Sequence, residues 1–252
     1  MPTITLINHA TALLQLAGVN ILTDPVYSLT LGFYIPRLRK PGIPFNELPR
    51  IDIILISHAD YDHLNLRTLR GLRRKNQSTI VFPHGLSKYG RRSGFSNVFE
   101  LNLWDKVETN NLRITCVPAK HSNKRLPWDR KSTLACGYVI ESTNSAVYFA
   151  GDTGYGEHFR EIAKRFSIDI ALLPVGAYKP YEWFKEIHLN PETAVTAFTD
   201  LKAKTLIPIH WGTFKISDEP LGEPPILLKE HAQRAGIQEK VHVLKNGESF
   251  SW

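Results

Sequence analysis

The residues best suited to chemistry lie in one short segment, Ile51–Asn65, which reads IDIILISHADYDHLN. An apolar run typical of a buried strand ends there, and four polar side chains follow within six residues: His58, Asp60, Asp62 and His63. Imidazole and carboxylate groups bind divalent metals, and the loop after a strand can aim several of them at one point without burying them unpaired. The segment therefore predicts a metal site with these four residues as ligands.

Three further candidates occupy the same position relative to a predicted strand. His121 follows ITCVPA, Asp152 follows AVYFA, and His210 follows TLIPI. If the strands form two packed sheets, these strand ends can converge at one edge. The seven candidates would suffice for two metal ions with one bridging carboxylate, a centre that generates hydroxide at neutral pH and stabilises both the attacking and the leaving oxygen.

The composition agrees with a metal site built from nitrogen and oxygen ligands. The 252 residues are 42% hydrophobic and 22% charged, which is typical of a globular protein. Ten histidines against two cysteines favour imidazole and carboxylate ligands over a thiolate cage. Cys116 and Cys136 lie in apolar runs and are predicted to be buried thiols. The length favours a single domain covering residues 1–252.

The location and the general class of ligand follow from broader features. The chain shows neither the pattern of a signal peptide nor an apolar run of roughly 18 residues, so we expect a cytoplasmic protein. The formal charge of +7 favours an anionic ligand, a nucleic acid or a membrane surface.

The elements that must position the ligands are short runs rich in Val, Ile and Thr. Strands are predicted at Thr3–Ile7, Ala12–Leu16, Val19–Thr23, Ile51–Ser57, Thr79–Phe82, Leu112–Val117, Leu134–Glu141, Ala146–Ala150, Ile168–Leu173, Lys204–Ile209 and Lys240–Leu244. Helical spacing occurs at Leu66–Leu72, Phe159–Phe166, Pro191–Leu201 after the N-cap Asn190, and Pro225–Ala235. This order favours an α/β fold of two packed sheets with helices on their outer faces.

One connection, Tyr27–Pro49, is too long for an ordinary loop. It contains four prolines and the basic residues Arg37, Arg39 and Lys40. Two interpretations stay open: a surface loop stiffened by proline, or a lid on the substrate side.

Seven ordered blocks of the chain carry a family resemblance: INHATALLQLAGVNILTDPVYS, SHADYDHLN, FELNLWDKVE, VPAKHSNKRLPWDRKSTLACGYVIE, YFAGDTGY, HLNPETAV and IPIHWGTF. They resemble the metallo-β-lactamase-fold hydrolases, in particular the branch of N-acyl-phosphatidylethanolamine phospholipase D and the ascorbate-6-phosphate lactonases. The resemblance implies a four-layer αββα sandwich with a dinuclear centre, usually of zinc, at one edge. By position it assigns the first metal to His58, residue 60 and His121, the second metal to Asp62, His63 and His210, and the bridge to Asp152.

The chain departs from the family at position 60. Asp60 stands where the motif H-x-H-x-D-H has its second histidine, so an anionic oxygen donor replaces an imidazole nitrogen. Direct ligation by Asp60 would favour Mn²⁺ or Fe²⁺ alongside Zn²⁺. Ligation through a water would weaken the first site, and that site could also stay empty.

The resemblance also suggests roles beside the metals. Asp62 would orient the hydroxide, and His188 would face the substrate, to protonate a leaving group or hold a phosphate oxygen. A structural histidine at a helix entry is the alternative for His188. His9 and Asp24 match family blocks and are predicted to orient ligands. The other four histidines are predicted to lie on the surface or on helix faces: His84, His158, His231 and His242.

The segments beside the ligands are basic and aromatic, which favours an anionic substrate unless their charges are merely solvated. Lys120, Arg125 and Tyr178 are the predicted substrate-binding residues. Their neighbours of the same types are Lys124, Trp128, Arg130, Lys131, Lys179, Tyr181, Trp183, Phe184 and Lys185.

Three functions follow. The leading one is a phosphodiesterase of phospholipase D type, in which a metal-bridging hydroxide attacks an N-acylated phospholipid or a smaller glycerophosphodiester. The second is a lactonase of a phosphorylated sugar acid, and the third is a metal-poor binding protein without activity. We expect an anionic small molecule or lipid as the substrate, leave peripheral membrane contact by the loop 27–49 open, and do not expect nucleic acid, because only basic patches favour it.

Overall fold

The computed structural model describes residues 1–32, 34–122, 125 and 133–252. Its strands are β1 (Thr3–Asn8), β2 (Thr11–Leu16), β3 (Val19–Thr23), β4 (Thr30–Leu31), β5 (Ile35–Pro36), β6 (Ile53–Leu55), β7 (Thr79–Pro83), β8 (Asn97–Leu101), β9 (Lys106–Thr109), β10 (Leu112–Pro118), β11 (Cys136–Glu141), β12 (Ala146–Phe149), β13 (Ile170–Pro174), β14 (Thr205–Ile209) and β15 (Ser249–Ser251). Its α-helices are α1 (Leu66–Gly71), α2 (Ser87–Arg92), α3 (His158–Arg165), α4 (Tyr181–Phe184), α5 (Pro191–Leu201) and α6 (Glu223–Arg234).

Apart from β4 and β5, which pair only with each other, the strands form two sheets. One has the order β15-β1-β2-β3-β6-β7-β8, and the other has the order β14-β13-β12-β11-β10-β9. Neighbours from β3 to β8 in the first sheet, and from β12 to β14 in the second, are parallel. Parallel neighbours end at the same edge of a sheet, which brings the loops that follow them together.

The side chains of β6 show how the layers are built. Ile53 and Leu55 belong to the core between the two sheets, whereas Ile54 packs with the residues of α1 and α2. This alternation is the period of two that every strand imposes. On the outer face of the second sheet, α3, α5 and α6 share one apolar cluster with β13 and β14. The predicted four-layer αββα sandwich is therefore confirmed.

The helix α5 begins and ends where the sequence predicted. The Asn190 side chain accepts a hydrogen bond of 2.8 Å from the Thr193 backbone, the Thr193 hydroxyl accepts one from the Asn190 backbone, and Pro191 occupies the first turn. This cap fixes the direction in which the chain enters the helix, and so the position of His188 just before it.

The predicted strand Lys240–Leu244 is wrong. Residues 238–240 form a 3-10 turn, and the segment after it has a single bridge between Val241 and Leu206. The Leu244 side chain is buried in the core, so the apolar alternation reflects burial without a hydrogen-bonded ladder. The C-terminal strand is β15 instead, which pairs antiparallel with β1.

Several other elements were not predicted because they are short or mostly exposed. They are β4, β5, β8, β9, β15, α2 and α4. Cys116 and Cys136 are buried free thiols, as predicted. That residues 1–252 form a single domain stays a prediction. Within the described part of the chain, no helix combines the length and the apolar character that crossing a membrane would require.

The long connection Tyr27–Pro49 is tied down by Arg37. The Arg37 guanidinium donates hydrogen bonds to the backbone oxygens of Val26 and Ser28, and lies 4.8 Å from the centre of the Phe214 ring. Exposed apolar side chains, Leu29 and Tyr34, remain on its surface, while Phe33 lies outside the described residues. In this structure the connection is therefore a surface segment held in place by the contacts of Arg37.

Candidate metal centre

All seven predicted ligands lie just beyond the carboxyl ends of strands, and the structure brings them together at one edge of the sandwich. His58 to His63 follow β6, His121 follows β10, Asp152 follows β12 and His210 follows β14. Convergence of strand ends from both sheets explains how residues 152 positions apart in sequence meet in one cluster.

Asp152 lies at the centre of the cluster. Its Oδ2 atom is 3.1 Å from His63 Nε2, 3.1 Å from His210 Nε2 and 3.9 Å from His58 Nε2. One carboxylate oxygen thus faces imidazoles of both predicted metal sites, which is the position a bridging ligand requires.

The first half-site consists of His58, Asp60 and His121. Asp60 Oδ2 lies 3.5 Å from His58 Nε2 and 3.3 Å from His121 Nε2, and the Asp60 side chain is 33% exposed. The outer nitrogens of the two rings face Ser57 Oγ at 2.9 Å and the Ile187 backbone oxygen at 3.0 Å. The Asp60 carboxylate therefore faces the two imidazoles beside which the family motif would place a third, from a histidine at position 60.

The second half-site consists of Asp62, His63 and His210. Asp62 Oδ2 lies 3.6 Å from His63 Nε2 and 3.4 Å from His210 Nε2. Behind these residues, His63 Nδ1 is 2.7 Å from Asp24 Oδ2, and His9 Nε2 is 2.9 Å from Asp62 Oδ2. His9 and Asp24 thus touch ligands of this half-site, as their predicted orienting role requires.

Backbone geometry around the second half-site is unusual. The φ angles of three residues are positive, in a region that residues other than glycine rarely adopt. They are +48° for His9, +31° for Asp24 and +60° for His210. The His9 backbone oxygen accepts a hydrogen bond of 2.9 Å from the His210 backbone, and their rings lie 4.0 Å apart. Such conformations cost about 1–3 kcal/mol each and cluster at functional sites.

The cluster fits a metal because several of its inward atoms make no hydrogen bond, although Asp152 Oδ2 lies 3.1 Å from two of them. Buried atoms without a hydrogen bond among the described residues include His58 Nε2, His63 Nε2, His210 Nε2 and Asp152 Oδ1. Buried polar groups are almost always paired in native proteins, and leaving one unpaired costs about 1–3 kcal/mol. A divalent ion would satisfy these atoms together, and a set of imidazole and carboxylate donors suits zinc, manganese or iron.

The charged groups of the cluster shift one another's pKa values, so that a metal ion would compete with protons for the imidazoles. Burial alone would raise the pKa of Asp152, but His210 and His63 beside it hold that pKa well below its usual range. Burial alone would lower the pKa of His210, but Asp152 and Asp62 raise it to about 9. The imidazole must lose its proton to bind a metal, so metal binding here would release protons.

His188 lies beside the cluster without joining it. Its Nδ1 atom is 4.0 Å from Asp152 Oδ2, and its ring centre lies 5.0 Å from that of His121 and 5.6 Å from that of His210. Burial lowers the pKa of His188 to about 3, so the ring is neutral near pH 7.

The predicted substrate-binding residues have partners of their own in the structure. Lys120 Nζ pairs with Glu186, and the buried Tyr178 hydroxyl donates a hydrogen bond of 2.6 Å to Glu223. Other members of the basic and aromatic set lie outside the described residues: Lys124, Trp128, Arg130 and Lys131.

Arg125 braces the loop that carries the ligands. Its Nη1 atom donates hydrogen bonds of 2.8 Å to the backbone oxygens of both Ala59 and Leu64, and its guanidinium lies 4.3 Å from the centre of the Tyr61 ring. Sequence reasoning missed this contact, because nothing local in the sequence connects Arg125 with a loop about sixty residues earlier.

Three of the four histidines without an assigned role make side-chain contacts. The His242 ring centre lies 4.4 Å from that of Phe250. His84 is exposed and lies 3.3 Å from Glu100. His158 begins α3 on a half-buried face, where its Nε2 is 3.2 Å from Thr153 Oγ1 and its ring packs on Phe159.

Comparisons with known proteins agree with the fold and the cluster. A family model described as a β-lactamase superfamily domain matches residues 19–211. An N-acyl-phosphatidylethanolamine-hydrolyzing phospholipase D of Caenorhabditis elegans is 34% identical and covers 90% of this chain and 68% of its own length. A metal-dependent hydrolase of Methanopyrus kandleri is 29% identical and covers 98% of both chains.

A solved structure and further relatives complete the comparison. The structure of a metallo hydrolase from Ignicoccus hospitalis superposes with a TM-score of 0.77 at 23% identity, covering 100% of this chain and 99% of that one. The chain spans about 60% of the length of uncharacterized mycobacterial relatives that are 37% identical to it over 86% of its residues. The family match over residues 19–211 therefore shows that this chain belongs to the metallo-β-lactamase superfamily.

Proposed function

We propose that the protein is a metal-dependent phosphodiesterase of phospholipase D type. The observation that carries this proposal is the convergence of buried, unpaired imidazole nitrogens on Asp152 Oδ2. The nematode relative, named for hydrolysis of an N-acylated phospholipid, supports the reaction type. The substrate would be an N-acylated phospholipid or a smaller glycerophosphodiester.

The seven ligand candidates would hold two divalent ions, with Asp152 between the half-sites. Bound ions would supply an activated water and polarise the phosphoryl oxygen. Asp62 would orient that water, because His9 fixes the Asp62 carboxylate through a 2.9 Å contact and leaves it little freedom to rotate. Asp24 would likewise hold the His63 ring with Nε2 directed inward.

His188 would contact the substrate beside the metals. A ring that burial keeps neutral offers one N–H donor, which suits a hydrogen bond to a phosphoryl oxygen better than transfer of a proton to the leaving group. The exposed Trp183 of α4, and the half-buried Lys185, which pairs with Glu182, lie within a few residues of His188 in sequence. Substrate contacts of Lys120, Arg125 and Tyr178 remain predictions.

Zinc is the metal we expect first, with manganese or iron favoured by Asp60. The Asp60 Oδ2 atom lies within 3.5 Å of both imidazoles of the first half-site, which supports direct ligation over ligation through a water. An oxygen donor in place of nitrogen makes this half-site harder than a site with three imidazoles.

The experiment is metal analysis together with turnover of bis(p-nitrophenyl) phosphate and of N-acyl-phosphatidylethanolamine in mixed micelles. We expect two divalent ions per chain and metal-dependent release of the phosphodiester products. Asp152→Asn should abolish both, whereas Asp218→Asn, at an exposed position, should change neither. Turnover of a phosphorylated lactone alone would replace this proposal with the lactonase, and no turnover with added zinc, manganese or iron would contradict both.

A further inference from the structure

The positive charge of the chain is concentrated in one layer of the fold. Between Leu64 and Phe99 there are eight basic residues and no Asp or Glu, so the rest of the chain has 23 basic and 24 acidic residues. The eight are Arg67, Arg70, Arg73, Arg74, Lys75, Lys88, Arg91 and Arg92. This segment therefore carries eight positive charges, one more than the formal charge of +7 of the whole chain.

These residues lie on α1, on the segment that follows it and on α2, and we call the surface they share the basic layer. The apolar sides of α1 and α2, including Leu69 and Tyr89, are buried against the first sheet, so the basic side chains face outward. All eight are exposed except Lys75, which is half-buried. A Cβ atom on Gly94 would lie 3.5 Å from Lys75 Nζ, which places the end of α2 beside the turn that follows α1.

The basic layer is not neutralised by the protein. Among the described residues, none of the eight has a carboxylate oxygen within 4.0 Å, whereas Arg160, Arg165 and Lys204 on the opposite outer face all do. Clustered cations of this kind attract a surface that carries many negative charges. The layer is therefore complementary to a polyanion.

The adjoining cavity indicates which polyanion. A cavity of about 430 Å³ at the end of the layer is lined by Phe45, Leu48 and Leu72 together with Arg73 and Arg74. Apolar side chains beside arginines match an amphiphile, whose anionic head and hydrocarbon chain occupy neighbouring regions. Nucleic acid offers phosphates without a hydrocarbon chain, so a lipid surface fits this combination better.

The layer also begins at the metal centre. Asn65, two residues after His63, caps α1 by accepting a hydrogen bond of 3.0 Å from the Thr68 backbone. A surface bound along α1 would consequently lie next to the loop that carries four of the ligands.

We propose that the basic layer docks this protein on an anionic lipid membrane. The proposal rests on the proposed function for its purpose, which is to bring the protein to a lipid substrate. The contact with the membrane itself requires no turnover. The sequence leaves membrane contact by the loop 27–49 open; the proposal places the contact on α1 and α2, with Phe45 and Leu48 of that loop at the adjoining cavity.

The test is co-sedimentation with vesicles of phosphatidylcholine, with and without phosphatidylglycerol, at about 0.1 M salt. Each cation near an anionic membrane strengthens binding about five-fold. The variant R67Q/R70Q/R73Q/R92Q, whose side chains make no described hydrogen bond, should therefore bind phosphatidylglycerol vesicles about six hundred-fold more weakly. The control K164Q/K229Q/R234Q/K240Q removes four exposed charges from the opposite side and should bind within about three-fold of the unmodified chain.

Three results would overturn the docking proposal: equal losses in the two variants, equal binding to vesicles without phosphatidylglycerol, or tighter binding to a short DNA duplex than to the anionic vesicles. Both variants should keep full turnover of bis(p-nitrophenyl) phosphate, which also reports on their folding. If the unmodified protein binds vesicles but hydrolyses no phosphodiester, the proposed function fails and the docking surface stands.

Discussion

The two half-sites of the metal centre differ in how the protein supports them. In the second half-site, His63 is held by the buried carboxylate of Asp24, and Asp62 is held by the buried ring of His9. In the first, the buried His58 contacts Ser57 Oγ, which also donates to Asp24. His121 contacts a backbone oxygen, and Asp60 is one-third exposed. The second half-site is therefore set in the interior, whereas the first is partly open to solvent.

The half-site with the more firmly held ligands is thus not the half-site in which a ligand type has changed. The buried half-site keeps the family's ligand types, and its supporting side chains come from the N-terminal strands. The open half-site carries the substitution, because an exposed carboxylate loses less solvation than a buried one would. We expect the second half-site to bind metal tightly and the first to determine which metal is preferred.

Asp152→Asn gives the largest expected effect, because it removes the charge that both half-sites share. Loss of a ligand that positions metal for catalysis costs several kcal/mol of transition-state stabilisation, which is about a thousand-fold in turnover. Metal content should fall in both half-sites at once. Retention of one full equivalent of metal would show that the half-sites are independent of Asp152.

Asp24→Ala should destabilise the metal-free protein more than Ser57→Ala. Asp24 accepts hydrogen bonds from the Ser57 backbone and hydroxyl and contacts His63, so its removal leaves buried groups unpaired at about 3 kcal/mol in total. Ser57 supports His58 of the first half-site with one hydroxyl, and its loss should cost about 1 kcal/mol. Urea unfolding of both variants measures the difference, and equal free energies would contradict the asymmetry.

Asp60→His should change the metal preference with little change in fold. Replacing the oxygen donor by nitrogen should raise the bound ratio of zinc to manganese by about ten-fold, since softer nitrogen ligands favour zinc. Metal analysis after equilibration with equal amounts of both ions measures this ratio. Asp62→His is the matched change in the second half-site and should reduce binding of both metals; an unchanged ratio in Asp60→His would exclude Asp60 as a ligand.

His158→Gln should change the pH dependence of stability and leave the metal ligands in place, because His158 supports the first half-site only indirectly. His158 contacts Thr153, whose hydroxyl also accepts from the Lys120 backbone next to His121. Burial lowers the pKa of His158 to about 4, against about 6.5 in the unfolded chain, so the unfolded chain takes up the proton first and stability falls as pH drops from about 6.5 to 4.

Urea unfolding at about pH 7.5 and pH 5 tests this contribution. Between the two, the unmodified protein should lose about 2 kcal/mol more stability than His158→Gln. Equal losses in the two proteins would show that the His158 ring does not resist protonation.

The sequence predicted the parts of the fold in which local pattern and burial agree. Val19–Thr23 and the strand before His58 have apolar side chains and end at polar residues, and both are strands in the structure. β15 could not be predicted, since three residues acquire a strand geometry only by pairing with β1. Lys240–Leu244 shows the converse, because an apolar alternation there is buried without a ladder.

The candidate site shows the same division. Ligand candidates could be found because each follows a strand, and His9 and Asp24 because they lie in recognisable blocks. Contacts that join distant segments could not, such as Arg125 with the ligand loop or Tyr178 with Glu223. Those depend on tertiary packing, which no short window of sequence contains.

The central claim is tested most directly by calorimetric titration of the metal-free protein with zinc and, separately, with manganese. Two unequal binding events per chain are expected, with the tighter one weakened in His9→Ala, because His9 contacts the ligand Asp62, and the weaker one changed in Asp60→His. A single binding event, or two events that both variants affect alike, would contradict a centre built from one buried and one open half-site.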